Sequence, residues 1–324
     1  MRLDIRYQMR FSYEVPVREA HNEVRVRPRD LLSQRLLGHR LTTTPAARIL
    51  SFTDYWGTTV EHFGHVADHQ ELDIVAETAV ETRVHAYVEN ASISAVDAAE
   101  FIAANVEYLR PSPHVAWDDD LAHVSRDCIS GFDDVHSVVD AIVANTRNQL
   151  SYERGTTHIG ISLHELVSQG TGVCQDFAHL TIGSLRSVGI PSRYVSGYLF
   201  AADESALDDL DADDSYGEVV TVQTHAWVEA AVPGSGWLAI DPTNNQPVGE
   251  RHVVVGHGRD YEDVAPVRGV YQGEATPEVE STVEIRRMEQ VERAMTERPR
   301  RRPVQHATVP VDVEAAVAQQ QQQQ

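Results

Sequence analysis

A cysteine that follows two glycines is the residue of this sequence best suited to nucleophilic chemistry. Gly170 and Gly172 precede Cys174, and the apolar residues after it recur at helical spacing, which predicts that Cys174 opens a helix. A helix N-terminus presents unpaired N–H groups and the positive end of the helix dipole, and both favour a thiolate over a thiol. The same N–H groups can hold the oxyanion of a tetrahedral intermediate. Cys174 is therefore predicted to be a nucleophile.

A histidine and an aspartate further along the chain can complete a catalytic triad. His225 lies in a segment with strand-like alternation, and Asp241 ends a short apolar segment directly before a proline. A hairpin between two such strands would set the imidazole beside the carboxylate, which is the arrangement of base and orienting group that activates a thiol. His179 is closer in sequence, but five residues of helix place it about 140° round from Cys174. His179 is therefore predicted to pack or to form a local hydrogen bond.

Other residues that can do chemistry have simpler interpretations. The chain has only two cysteines, so a disulfide framework is excluded, and Cys128 is predicted to be a small buried hydrophobe. The spacing of His62, His65 and His69 suggests a metal site, but the surrounding alternation predicts strand and turn, where these side chains do not converge. The acidic segment at residues 203–214 is predicted to be a solvated loop, with calcium binding as the alternative. No cofactor or metal is expected.

The first third of the chain has the periodicity of β-structure. Up to about residue 110 the pattern predicts mostly strands, with period-two alternation at residues 3–7, 23–27 and 83–88. Pro111 and Pro113 then disfavour helix and strand alike, which predicts a domain boundary at this point.

Helical spacing follows this boundary. A helix is predicted over residues 133–150, and a second helix begins near Cys174 and is ended by Gly189 and Pro191. Strands are predicted at residues 193–200, 219–232 and 237–240. From about residue 289 the chain is charged, then rich in proline and arginine, then a run of glutamine, and this tail is predicted to be disordered.

The charge of the chain limits its partners and its location. A formal net charge of −22 over 324 residues disfavours binding to nucleic-acid backbones. The sequence contains no lysine, and a strongly acidic, lysine-free chain is typical of a halophilic, salt-adapted organism, although a GC-rich genome also favours arginine codons. No apolar stretch is long enough for a membrane span, and no signal peptide is evident, so a cytoplasmic location without membrane association is expected.

Four segments, in this order along the chain, resemble the transglutaminase-like superfamily, and more narrowly its prokaryotic branch with an N-terminal β domain. They are residues 172–179, 189–198, 225–227 and 241–244. The resemblance implies an α+β fold with an N-terminal β-rich domain over residues 1–112 and a papain-like, transglutaminase-like core over residues 113–288. The disordered tail then occupies residues 289–324.

The same resemblance implies a chemistry. In such a protein Cys174 is the nucleophile that attacks a carboxamide to give a thioester, His225 is the base and Asp241 orients it, while Tyr152 is a further candidate as an oxyanion donor. The expected partner is a peptide or protein that carries an amide or isopeptide bond.

The acceptor of the acyl group is left open by these residues. Hydrolysis is favoured, because the sequence shows no sign of a second groove that would admit an amine. A protein-glutamine gamma-glutamyltransferase that crosslinks proteins is the alternative. A non-enzymatic scaffold that keeps the fold is a further alternative, against which the complete set of three residues argues.

Overall fold

The computed structural model describes residues 1–84, 86–200 and 219–288, which form an α+β fold. Its strands, in chain order, are β1 (Arg2–Val24), β2 (Gln34–Thr44), β3 (Leu50–Thr53), β4 (Thr59–His65), β5 (His69–Thr82), β6 (Ser151–Tyr152), β7 (Thr171–Gly172), β8 (Ser192–Leu199), β9 (Val219–Val222), β10 (Thr224–Val232), β11 (Gly236–Asp241), β12 (Gln246–Pro247), β13 (His252–Gly258), β14 (Val267–Gln272) and β15 (Glu278–Arg287).

The helices lie mainly in the middle of the chain. They are α1 (Ala99–Ala104), α2 (Asp119–Cys128), α3 (Val135–Gln149), α4 (Leu163–Gln169), α5 (Cys174–Ser187) and α6 (Tyr261–Val264), with short 3-10 turns at Ile93–Asp97 and Val106–Leu109. The acidic segment at residues 203–214 and the predicted tail from residue 289 lie outside the described residues.

One long strand, β1, organises the N-terminal sheet. Over residues 3–12 it pairs antiparallel with β5 on one side and β15 on the other. Its second half pairs with β4 and β14, and the pairing register shifts between Ser12 and His21, where bulges allow the strand to bend. This eight-stranded sheet therefore unites strands from both ends of the described chain.

A second sheet carries the residues of the predicted triad. It has five antiparallel strands in the order β12-β11-β10-β8-β13. Ala226 and Val228 of β10 pack on α3 and α5, whereas Tyr198 of β8 and Val253 of β13 join the apolar core of the N-terminal sheet. The Tyr198 hydroxyl also donates a buried hydrogen bond of 2.8 Å to the backbone carbonyl of Val26. Because apolar burial is the main favourable term in folding, these clusters hold β10 in a fixed position.

The two helices predicted from periodicity are present with nearly the predicted bounds. Helix α3 begins after Asp134, whose side chain accepts the Ser137 N–H as an N-cap. Helix α5 begins at Cys174, as predicted, and the chain leaves it at Gly189, where φ is 86°. A backbone hydrogen bond from Ile190 to Leu185 then closes the helix end.

The three strands predicted in the first third of the chain have different outcomes. Residues 3–7 lie within β1, but β1 ends at Val24, so most of the predicted strand at residues 23–27 is irregular. The predicted strand at residues 83–88 is wrong, because residues 83, 84 and 86–88 belong to no strand. Two of its apolar members, Val84 and Tyr87, are 76% and 83% exposed, so the alternation there did not produce a regularly buried face.

The region before Pro111 is also less uniformly β than predicted, since α1 and two 3-10 turns occupy much of residues 93–109. The domain boundary predicted at Pro111 to Pro113 stays a prediction. Strands β14 and β15, which come after it in the chain, pair with β1, which comes before it. Among the described residues, no helix combines the length and the apolar character needed to span a membrane.

Candidate active site

The three residues predicted to form the triad come together where α5 begins and where β10 and β11 lie side by side. Cys174 is the first residue of α5, His225 is the second residue of β10 and Asp241 is the last residue of β11. The antiparallel register pairs Val228 with Ile240, so Asp241 is diagonal to His225 across the strand pair. The His225 Nε2 atom lies 2.7 Å from Asp241 Oδ2.

The half-buried thiol of Cys174 approaches the other side of the imidazole. It lines the same cavity as His225 and interacts with it electrostatically, and its Sγ lies 4.0 Å from the carbonyl oxygen of Thr224. Because Nε2 of His225 is engaged by Asp241, Nδ1 is the nitrogen left to face the thiol. The imidazole therefore stands between a nucleophile and a carboxylate, as a general base requires.

The electrostatics of the site favour a charged imidazole. Burial by itself penalises the imidazolium, but the Asp241 carboxylate and the Cys174 thiol outweigh it and raise the pKa of His225 well above the usual 6.5. Burial likewise opposes ionisation of Asp241, yet His225 and His252 hold the pKa of that carboxyl far below its ordinary range. Asp241 is therefore an anion at every working pH.

The Asp241 carboxylate is held by more donors than the sequence indicated. Its Oδ1 accepts the backbone N–H groups of Thr243 and Asn244 at 3.0 and 3.2 Å. Its Oδ2 accepts the Asn244 side-chain amide at 2.8 Å and, besides His225, lies 3.3 Å from Nε2 of His252. The contact with His252 was missed, because this residue lies in β13 and no local spacing links it to Asp241.

Two of the segments that resemble the transglutaminase-like superfamily, residues 189–198 and 225–227, contact each other next to His225. Trp227, on the same face of β10, is fully buried, and the tip of its ring lies over Gly197 of β8. A Cβ atom at Gly197 would lie 2.6 Å from Cη2 of Trp227 and 2.1 Å from the carbonyl oxygen of Val253. Glycine is therefore required there by close approach, and the packed indole supports the strand that presents His225.

The turn before Cys174 is held by the carboxylate of Asp176, two residues further on. The carboxylate of Asp176 accepts the backbone N–H of Val173 at 2.9 Å and the hydroxyl of Thr157 at 2.6 Å. A Cβ at Gly172 would lie 2.8 Å from the Cβ of Asp176, so this glycine makes room for the capping carboxylate. Burial raises the pKa of Asp176, although the two hydrogen bonds oppose this.

His179 has the packing role that the helical geometry predicted, together with a hydrogen bond over long range. Its Nε2 accepts the backbone N–H of Tyr261 at 3.2 Å, and its ring stacks on His114 with the centroids 5.6 Å apart. Burial lowers the pKa of His179 to about 3, and His114 adds to this effect. A neutral, enclosed imidazole of this kind is unsuited to act as the base for Cys174.

Cys174 and His225 line a small cavity that opens beside a larger groove. The cavity holds about 210 Å³, and Tyr152 lies in its wall, although its role as an oxyanion donor stays a prediction. The neighbouring groove holds about 570 Å³ and shares Tyr261 with the cavity. Carboxylates of Glu23 and Glu262 line this groove.

The histidines considered as metal ligands do not form one site. His62 stacks on His21 with their ring centroids 5.9 Å apart, whereas His65 packs against His69 at 5.5 Å. Among residues 1–84, 86–200 and 219–288, three metal-binding side chains converge at His225, Asp241 and His252, where hydrogen bonds account for the arrangement. Cys128 is half-buried, and burial raises the pKa of its thiol.

Comparison with known proteins agrees with this fold. Residues 122–242 match the transglutaminase-like superfamily, and residues 3–81 match the bacterial transglutaminase-like N-terminal region. An uncharacterized protein of Mycobacterium leprae is 35% identical over 288 residues, which are 89% of this chain and 99% of that protein. The chain thus belongs to the transglutaminase-like superfamily.

Two further relatives are more distant. A protein-glutamine gamma-glutamyltransferase of Pseudomonas aeruginosa is 37% identical over 73 residues, which are 22% of this chain and 10% of that protein. The crystal structure of a candidate cysteine protease from Cytophaga hutchinsonii superposes with a TM-score of 0.68 at 23% identity, covering 87% of this chain and 90% of that one. This second similarity establishes a shared fold.

Proposed function

We propose that the protein is a thiol-dependent enzyme that cleaves amide or isopeptide bonds of peptides or proteins through an acyl-enzyme. The observation that carries this proposal is the alignment of the Cys174 thiol, the His225 imidazole and the Asp241 carboxylate, with 2.7 Å between the last two. One relative is named a protein-glutamine gamma-glutamyltransferase, an activity on glutamine amides, which supports the same bond type.

The reaction begins with a proton transfer from the Cys174 thiol to His225. The thiolate then attacks the amide carbon, and the oxyanion that forms is met by backbone N–H groups at the start of α5, which have no partner within the helix. His225 returns its proton to the departing amine as the C–N bond breaks, which leaves a thioester on Cys174. Asp241 stabilises the imidazolium during both transfers.

The second half of the reaction releases the acyl group. A water molecule gives a proton to His225 and attacks the thioester carbon, and the tetrahedral intermediate expels the Cys174 thiolate. The products are a carboxylic acid and the regenerated thiolate–imidazolium pair. Cys174 is half-exposed, so water can reach the thioester, and hydrolysis is the acceptor reaction that we favour.

Transfer to an amine is the second candidate, and one observation favours it. The groove of about 570 Å³ adjoins the catalytic cavity at Tyr261 and has room for a side chain that carries an amine, while its carboxylates Glu23 and Glu262 are paired with Arg25 and Arg268. A primary amine bound there would attack the thioester in place of water. The chain contains no lysine, so such an enzyme would not join its own lysine side chains to substrate.

The proposal is tested by incubating the protein with a library of glutamine-containing and isopeptide-linked peptides and an excess of a labelled primary amine. The products are identified by mass spectrometry. Free acid or cleaved peptide as the main product supports hydrolysis, whereas amine incorporation in most turnovers establishes transfer. Cys174→Ala is expected to abolish turnover, and Cys128→Ala is the matched control that keeps it. A fully active, folded Cys174→Ala protein would refute the proposed function.

A further inference from the structure

A second histidine touches the carboxylate of the predicted triad. His252, the first residue of β13, is 3% exposed, and its Nε2 lies 3.3 Å from Asp241 Oδ2, the same oxygen that accepts His225. Its ring meets Trp227 edge to face, with centroids 5.2 Å apart. The position of His252 is therefore determined on two sides, by a carboxylate and by a packed indole.

The protonation of His252 follows from its other ring nitrogen. The backbone N–H of Gly249 points at Nδ1 over 3.2 Å, so Nδ1 must be an acceptor and carries no proton. The proton of the neutral ring is consequently on Nε2, where it is donated to Asp241. His252 thus supplies a hydrogen bond without supplying a positive charge.

This distinction matters for the imidazolium that forms on His225. A second cation beside Asp241 would compete with His225 for the carboxylate and repel the imidazolium across the 6.3 Å that separate the two rings. A neutral donor restrains the carboxylate and leaves its full charge to His225. The backbone donors reach only Oδ1, so the side chains of His252 and Asn244 are what orient Oδ2.

We infer that His252 is a positioning residue of the active site, which holds Asp241 Oδ2 in line with His225 through a neutral Nε2–H donor. The inference rests on the proposed function, in which Asp241 orients the base. His252 itself touches no substrate, because it is buried and is not among the residues that line the catalytic cavity. Its loss is expected to lower kcat and to leave KM unchanged.

The test compares two substitutions that differ in one property. His252→Leu removes the donor, and His252→Gln keeps an amide N–H near the place of Nε2. Since Asp241 retains four other donors, we expect His252→Leu to lower kcat by about tenfold, at the lower end for a hydrogen bond to a charged group. His252→Gln should recover most of this loss, with KM the same in all three proteins.

A control on the same strand separates positioning from stability. His257 is also buried in β13, but its ring contacts Arg29 and Glu229 instead of Asp241. His257→Leu should lower the melting temperature without lowering kcat in proportion. If His252→Leu does not fold, His252→Met offers a flexible side chain without a donor for the same comparison.

Coupling to Asp241 gives the strictest criterion. In an Asp241→Asn background, adding His252→Leu should cause no further loss, because the residue acts through that carboxylate. A full additional loss would overturn the inference, and so would equal activities of His252→Leu and His252→Gln.

The rate at which iodoacetamide alkylates Cys174 provides a readout that needs no substrate. It should fall in His252→Leu and recover in His252→Gln. A normal rate in His252→Leu contradicts the positioning role, whereas turnover by Cys174→Ala contradicts the proposed function instead.

Discussion

Protonation of His179 is expected to make the fold sensitive to acid, and this effect can be calculated from its surroundings. The imidazole is 4% exposed, and its Nε2 accepts the Tyr261 N–H, so a proton on Nε2 would break that bond and bury a charge. Burial lowers its pKa from the usual 6.5 to about 3. In the unfolded chain the same side chain titrates near its usual pKa.

The sign and the size of the change in the free energy of unfolding follow from proton linkage. Between about pH 6.5 and pH 3 the unfolded state binds a proton at His179 that the folded state does not, so the free energy of unfolding falls as the pH falls. One such group removes about 2 kcal/mol between pH 7 and pH 5, and little of this loss occurs above pH 6.5.

The assay is urea unfolding at pH 7 and at pH 5, for the wild type and for His179→Gln, which keeps an acceptor but cannot titrate. The free energy of unfolding should fall by about 2 kcal/mol more in the wild type than in the variant. Other acidic and basic groups contribute equally to both proteins and cancel in the comparison. Equal pH dependence in the two proteins would show that folding does not exclude a proton from His179, and the reasoning would fail.

The other predictions concern the nucleophile, the orienting carboxylate and the net charge. At pH 7 iodoacetamide should alkylate Cys174 much faster than Cys128, whose thiol has its pKa raised by burial, and equal rates would contradict an activated Cys174. Asp241→Asn should lower kcat/KM by about 10³ to 10⁴ while the protein stays folded, and His225→Ala should cost far more activity than His179→Ala. The net charge of −22 repels itself at low ionic strength, and molar salt screens this repulsion because the Debye length shrinks to about 3 Å. The melting temperature should therefore rise steeply from low to molar salt, and an unchanged melting temperature would mean that the acidity has another cause.

The triad candidates could be found from sequence because each has a local signal. Helical spacing after Cys174, alternation around His225 and a short apolar run before Asp241 are patterns of near neighbours, and they predicted α5 and β11 closely. The single strand predicted over residues 219–232 is divided into β9, in the N-terminal sheet, and β10. The same kind of pattern failed at residues 83–88, where alternation occurs although Val84 and Tyr87 are exposed. Periodicity indicates a strand only when one face becomes buried, and burial is a property of the whole fold.

The tertiary structure decided the contacts between residues that lie far apart in the chain. The register of β10 on β11 places Asp241 diagonal to His225, and β13 brings His252 to the same carboxylate. Likewise β1 collects β14 and β15 into the N-terminal sheet. The sequence by itself determined which side chains can do the chemistry, since that depends on residue type and local spacing. The packing of both sheets determined which of them meet, because strand register is set by the burial of whole faces and not by any single residue.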